Sequence, residues 1–244
     1  MRLIQAIPHI YHQYLLDVNK ETQKNADPKI LRMSGANGCY LKHQYQREGV
    51  KRETSAKDLR NMRTGTLIGD DIELAVELKR DALETDGKLF IQEEVSLFDG
   101  AVVGHLDIAF YHNDGTLEVI DEKTIKSWNW RYVFGKDAYD KLGYIYQLVS
   151  YANGLMEKYP ELDIKSIVLH NLYWRKGDGE LKELSINYRK HKNAAMAYWQ
   201  DCIMLSTEKL VAGDDFGCPI ASWECSYCSY SWQCPSPFKK GKKK

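Results

Sequence analysis

The chain has 244 residues, 43% of them hydrophobic, and its 34 Lys and Arg balance 34 Asp and Glu. That length suits one large domain or two small ones, and that apolar fraction supplies a core, which excludes a disordered or fibrous chain. No run approaches the ~18 uninterrupted apolar residues of a membrane span, and the opening MRLIQAIPHIYHQYLLDVNK carries His9, His12 and Asp17 where a signal peptide would be apolar.

The expectation is therefore a soluble, intracellular, cytoplasmic protein with no membrane partner. The neutral balance neither supports nor excludes a nucleic-acid partner, because the charge is unevenly placed. The segment from Lys42 to Arg63 holds seven Lys or Arg against three acids, and the final KKGKKK holds five lysines. Such patches suit phosphates, or serve only as solvated helix faces and a solubilising tail.

In chain order, the first twenty residues predict an amphipathic helix, with Leu3, Ile4, Ile7, Ile10, Tyr11 and Leu15 near a helical period. RMSGANGCYLKHQYQREG reads as a loop feeding a helix, with Ser34 or Asn37 as cap and Cys39 in the first turn. Residues 65–83, GTLIGDDIELAVELKRDAL, predict a second helix. The period then changes: KLFIQEEVSLF and VVGHLDIAFY read as strands, and HNDG supplies the turn before TLEVIDEK. A long helix is expected from about Gly135 to Tyr159, then strands IKSIVLHNLYW and LKELSINY around the turn RKGDGE, then a helix from Lys190 to Leu210. The order predicts an α/β (α+β) chain with a mixed central sheet flanked by helices, undivided by any linker.

In an extended strand Asp121 and Lys123 point to one side and Glu122 to the other. A loop centred on Asp114 puts Asp107 directly opposite Asp121, and an even-length turn makes them diagonal neighbours; either way the acids and the lysine converge. Two adjacent carboxylates suit a hard divalent cation, Mg2+ or Mn2+, which would polarise a phosphate oxygen while the lysine orients water or stabilises charge. That set of groups serves phosphodiester hydrolysis; the plainer alternative is a salt-bridged strand end.

EVSLFDGAVVGHLD followed by IDEKT and YQLVSYA resembles the PD-(D/E)XK nuclease superfamily. It is closest to the RecB-like branch that includes the CRISPR-associated iron–sulfur exonucleases and the AddB-type nuclease domains. The resemblance implies a restriction-endonuclease-like fold and a catalytic set of Glu94, Asp107, Asp121, Lys123, Gln147 and Tyr151. Asp107 and Asp121 would bind the metal, with Glu94 and Asp70 as further candidates. Where many relatives have a metal-binding His in an early helix, this sequence has Gly69, followed by Asp70 and Asp71. His105 and His43 are expected at the surface or the core edge rather than as substitutes.

Cys225, Cys228 and Cys234 form C-x2-C-x5-C, with Cys39, Cys202 or Cys218 available as a fourth ligand. Spacing alone suits Zn2+ or an iron–sulfur cluster equally. The resemblance implies a [4Fe-4S] cluster on Cys39, Cys225, Cys228 and Cys234 that pins the two ends of the domain together. The expected division is a helical part over 1–64, a nuclease core over 65–210, a cysteine segment over 211–238 and a basic tail over 239–244, all in one domain 1–244.

Trp128, Trp130, Arg131 and Lys126 follow Lys123 closely, either to stack on and hold single-stranded DNA or to pack the sheet against its next helix. The resemblance implies a DNA exonuclease acting at single-stranded or frayed ends, of prokaryotic or viral origin, with a second copy or CRISPR and recombination proteins as possible partners. Two competing expectations are an inactive DNA-binding or complex-forming module on the same fold, and a zinc-stabilised structural protein.

Overall fold

A computed structural model describes residues 3–205, 224–225 and 228–234, in which a six-stranded mixed sheet carries helices on both faces. The first helix, α1 (Leu3–Asn25), leads to a two-residue strand β1 (Leu31–Arg32) and to α2 (Tyr40–Arg47). Cys39 is the N-cap residue of α2, one position before the expected first turn, and neither Ser34 nor Asn37 caps it.

The next helix, α3 (Ala56–Glu77), starts nine residues before the expected Gly65. Ser55 explains the difference, because its hydroxyl accepts the Asp58 N–H at 3.1 Å and donates to the Asp58 carboxylate. Gly65 and Gly69, which read as a weak first turn, lie mid-helix where α3 passes close to the sheet. A β-carbon at either would come within 3.2 Å of a side chain, Thr124 at the first and Glu122 at the second. A short helix α4 (Arg80–Leu83) then closes this layer.

Strands β2 (Gly87–Leu97), β3 (Val102–His112) and β4 (Thr116–Lys126) form an antiparallel meander. The turn between the last two is centred on Asp114, whose carboxylate accepts the Thr116 N–H at 2.8 Å. Next come α5 (Arg131–Phe134) and α6 (Leu142–Lys158), so residues 135–141 stay outside the expected long helix. These helices form the crossover to β5 (Ser166–Lys176), which runs parallel to β4, and β6 (Leu181–Ile186) pairs antiparallel with β5. The last helix, α7 (Tyr188–Met204), begins two residues early and is capped by Asn187, which accepts the Lys190 N–H. The expected stretch to Leu210 lies outside the described residues.

Helices α6 and α7 cover one face. Leu148, Val149, Ala152, Leu155 and Trp199 are buried there with Val95, Leu106, Leu117, Val119 and Leu169. Helix α3, packed against α1, crosses the other face. A smaller core of Ile125, Val133 and Tyr173 sits beneath α5.

One irregularity in the sheet positions everything that follows. Strand β2 pairs with β3 from Gly87↔His112 to Leu97↔Val102, but skips Gln92↔Asp107, where Gln92 adopts φ 51°. The opposite edge of β3 pairs with β4 only from Tyr111↔Leu117 to Ile108↔Ile120, and with β1 only at Val102 and Val103. Both strands also change which face their core residues take at this point, from Phe90 to Val95 in β2 and from Leu106 to Ala109 in β3. Asp107 therefore lies at a kink where the ladders on both sides are interrupted.

Candidate active site

The interrupted ladder leaves the backbone N–H of Glu122 without a strand partner, and the Asp107 carboxylate takes it at 2.7 Å. Continuing the β3–β4 register sets Asp107 opposite Asp121, as a turn centred on Asp114 requires. The two carboxylates face each other across the splayed hairpin.

Alternation along β4 sends neighbouring side chains to different layers. Asp121 is fully buried on the α6 side and ion-paired with Lys123, whose ammonium lies 5.0 Å from the Tyr144 ring centroid. On the same side α6 contributes Gln147 and Tyr151, one turn apart, and the Gln147 amide donates to the Tyr151 hydroxyl at 2.7 Å. Strand β5 sets Asn171 beside Asp121 and Tyr173 beside Lys123. Both are buried, and neither the Asn171 amide nor the Tyr173 hydroxyl has a hydrogen-bond partner among the described residues.

Glu122 points the other way, toward α3, into the space that Gly69 leaves open. Its carboxylate oxygens are buried without a hydrogen-bond partner among the described residues. Glu73 of α3 lies nearby and is held by the side chain of the kinked Gln92.

The electrostatics follow from burial of like charges. Burial raises the Asp121 carboxyl above its usual range; Lys123 opposes the rise and Asp107 adds to it. Asp107 is also raised by burial, against Lys123 and the Glu122 N–H. Glu122 is pushed up to about 8 by burial and then by Asp107, Glu73 and Asp121. Lys123 is raised despite its burial, because Asp121 and Asp107 favour its charge. Burying four ionisable groups costs folding free energy that apolar residues would not, and groups so perturbed cluster at sites of chemistry.

The structure thus gathers Asp107, Asp121, Lys123, Gln147 and Tyr151, but not Glu94. That side chain is exposed and pairs with His105 across β2 and β3. The kink at Gln92 explains its absence: it reverses the inward parity of β2, so Val95 turns into the core and Glu94 turns out. Asp70 is exposed on α3, near Glu73. His105 is a surface residue as expected. His43 is not at an edge but 4% exposed, with its Nε2 2.7 Å from the Tyr198 hydroxyl.

Glu73, Gln92, Asn171 and Tyr173 were not anticipated as part of this cluster, and Glu122 stood only as an unspecified middle residue. Asn171 was within reach: it is the one amide in the apolar run SIVLHNLYW, and a parallel β4–β5 pair sets it beside Asp121. Glu73 depends on the line α3 takes across the sheet, which no local pattern encodes.

The donor chemistry fits a hard divalent cation. Asp121 Oδ1 is a buried carboxylate oxygen without a hydrogen-bond partner among the described residues, beside the anchored Asp107, while the Glu122 oxygens, likewise unpartnered among the described residues, lie on the α3 side. Among the described residues, no three His, Cys, Asp or Glu side chains already converge on a metal-binding point. In this geometry the Lys123 ammonium lies against Asp121.

Cys39 lies near Cys228 and Cys234, but among the described residues no three cysteines converge on a metal-binding point. Burial pushes the Cys39 thiol up to about 11, with Cys228 and Cys234 near enough to add to the effect. Cys225, Cys228 and Cys234 are half-buried, and Cys202 is a core thiol hydrogen-bonded with the Tyr198 side chain. Cys218 and the basic tail lie outside the described residues. Trp130 is half-buried against Phe134 at 4.5 Å, whereas Trp128 is 62% exposed. Arg131 and Lys126 are exposed.

A family model described as the PD-(D/E)XK nuclease superfamily matches residues 41–235. Among solved structures, that of SSO0001 is 17% identical with a TM-score of 0.55, over 91% of this chain and 95% of that one. A candidate exonuclease from Eubacterium rectale is 11% identical with a TM-score of 0.46, over 77% of this chain and 85% of its own. At these identities the first likeness is one of fold. A search of curated proteins gave no match.

Proposed function

Because the chain belongs to the PD-(D/E)XK nuclease superfamily, with a mixed sheet flanked by helices in the restriction-endonuclease-like manner, we propose that it is a divalent-metal-dependent DNA exonuclease acting at single-stranded ends. The observation that carries the proposal is the buried Asp121–Lys123 pair facing an Asp107 that an interrupted ladder holds in place. A strand end that only needed to fold would leave these charges in water.

Asp107 and Asp121 would hold Mg2+ or Mn2+, the metals typical of the superfamily. When bound there, such a cation would supply positive charge near the scissile phosphate and lower the pKa of a water molecule. Lys123 orients the attacking water and offsets the negative charge that grows on the phosphoryl oxygens. Tyr151 is fixed by Gln147 and lies above Asp121, where its hydroxyl can donate to a phosphate oxygen. Tyr144 covers the lysine and limits access of bulk water. Trp128, Arg131 and Lys126 guide DNA toward this point, while Trp130 serves packing. Glu94 and Asp70 have no part in the set.

The RecB-like subtype with a [4Fe-4S] cluster on Cys39, Cys225, Cys228 and Cys234 belongs to the same proposal, supported by the electrostatic proximity of Cys39 to Cys228 and Cys234. Its role is structural, tying the N-terminal helical part over 1–64 to the cysteine segment around the nuclease core.

Anaerobically purified protein, incubated with Mn2+ and DNA labelled at one end, tests this directly. Release of short products from linear single strands, with circular single strands left intact, is the expected result. Cleavage of the circles would make it an endonuclease. Colourless, zinc-replete protein would replace the cluster with a zinc site, and brown protein that binds DNA without cutting would mark a binding module.

A further inference from the structure

Beyond β4 the chain lays out four aromatic rings in succession. Trp128 meets Tyr132 edge to face at 6.3 Å between centroids, and Tyr132 meets Tyr139 at the same spacing. Lys141 Nζ donates to the Tyr139 hydroxyl at 2.9 Å, immediately before α6 brings in Tyr144 over Lys123. Core packing does not account for Trp128, Tyr139 and Tyr144, which are 62, 52 and 38% exposed, while Tyr132 between them is half-buried. Trp130, two residues from Trp128, is the contrasting case, turned inward against Phe134.

Cations accompany the rings. The Arg131 guanidinium lies 4.7 Å from the Tyr132 centroid and the Lys141 ammonium 4.1 Å from that of Tyr139. Lys126 and Lys176 stand opposite each other in the β4–β5 ladder on the α3 side, where the Lys176 ammonium donates to the Asn61 carbonyl at 3.2 Å, so they stand apart from the rings. The nearby acids are engaged, Asp140 by Lys190 at 3.1 Å and Asp137 by Arg131 at 3.9 Å. Exposed rings alternating with cations fit a polyanion that offers flat apolar faces between its charges. A nucleic-acid single strand has that chemistry; a duplex hides its base faces in the stack.

Resting on the nuclease reading of the Lys123 site, we propose that Trp128, Tyr132, Tyr139 and Tyr144 form a stacking track that delivers an unpaired nucleic-acid strand to Lys123, with Arg131 and Lys141 beside the rings to meet its phosphates. Trp130 is excluded from the track. Each ring stacks on whichever base is presented, so the track selects for strandedness and not for sequence.

Binding of a fluorescein-labelled oligo(dT), followed by anisotropy in EDTA, tests the track apart from cleavage. Trp128→Ala and Tyr139→Ala should each weaken binding by about 5- to 150-fold, the range expected for losing one base–aromatic stack. Trp128→Phe should restore most of the loss, and Tyr14→Ala, an exposed ring on α1, should bind as wild type. Oligo(dT) affinity unchanged in both alanine variants would overturn the track, as would equal loss on an intact duplex. Protein that binds through Trp128 and Tyr139 but cuts nothing with Mn2+ would uphold the track and overturn the nuclease reading. Protein that cuts DNA, yet binds it independently of these rings, would do the reverse.

Discussion

Glu122 holds a charge that the fold disfavours. Its carboxyl is pushed up to about 8, from an ordinary 4.5, by burial and by Asp107, Glu73 and Asp121. Between those values the folded chain binds more protons than the unfolded one. Its contribution to stability is thus complete below about pH 4.5 and lost as pH rises through about 8. In EDTA, Glu122→Gln should raise the melting temperature at pH 8 by the equivalent of about 1–3 kcal/mol, with little change at pH 4.5; thermal denaturation at the two pH values checks this. His43 works in the opposite sense. Buried among Lys42, Arg47 and Arg52, it is pushed down to about 3 from an ordinary 6.5. The unfolded chain protonates first, so stability is present above about pH 6.5 and lost as pH falls toward 3. Urea unfolding of His43→Gln between pH 6 and 4 should show a pH slope shallower by up to about 1.4 kcal/mol per pH unit. At this scale Asp121 and Lys123 were legible, because strand alternation alone puts them on one face. Glu122 was not, since its importance comes from α3, which alternation does not see.

Among the elements, the splayed β3–β4 hairpin and α6 do the positioning. HNDG marked the turn and brought Asp107 near Asp121, but only the strand register, centred on Asp114, sets the two acids directly opposite. The kink at Gln92 was not readable: Gln has no preference for a left-handed backbone, and the kink removed Glu94 from the expected set. The start of α3 was misplaced because glycines usually mark helix ends, whereas here they let the helix approach β4. Another close approach sets Tyr151. A β-carbon at Gly104 would come within 2.7 Å of the Tyr151 ring and 2.8 Å of Met33 Sδ. Gly104→Ala should therefore cost about 1–3 kcal/mol in denaturant unfolding. It should also slow DNA cleavage, because the ring that must yield is the one beside Asp121.

Over the whole molecule, the mixed sheet and its helix layers followed from the order of periodic segments, since a parallel β4–β5 pair needs a crossover helix. The closure of the domain was expected only from the resemblance, through Cys39 and the C-terminal cysteines, because the side-chain contacts that make it lie far apart in sequence. The Tyr230 ring is buried 5.5 Å from Tyr45, its hydroxyl accepts from Arg52 at 3.0 Å, and the Glu53 N–H donates to Ser229 O at 3.0 Å. Those contacts join the cysteine segment to the chain just after α2. Tyr230→Ala should cost about 3 kcal/mol and lower the absorbance at about 400 nm expected of a bound iron–sulfur cluster. A melt and a spectrum of the anaerobic protein check both. The central claim, that the Asp107, Asp121 and Lys123 cluster hydrolyses DNA, meets its most direct test in Mn2+-dependent degradation of end-labelled single-stranded DNA by wild type and by Lys123→Ala, with folding of both verified by circular dichroism. Degradation by the wild type and its reduction by at least about 100-fold in the variant, on the scale of losing a group that stabilises transition-state charge, is the predicted result. Equal degradation by a folded Lys123→Ala, or none by the folded, Mn2+-supplied wild type, would contradict it.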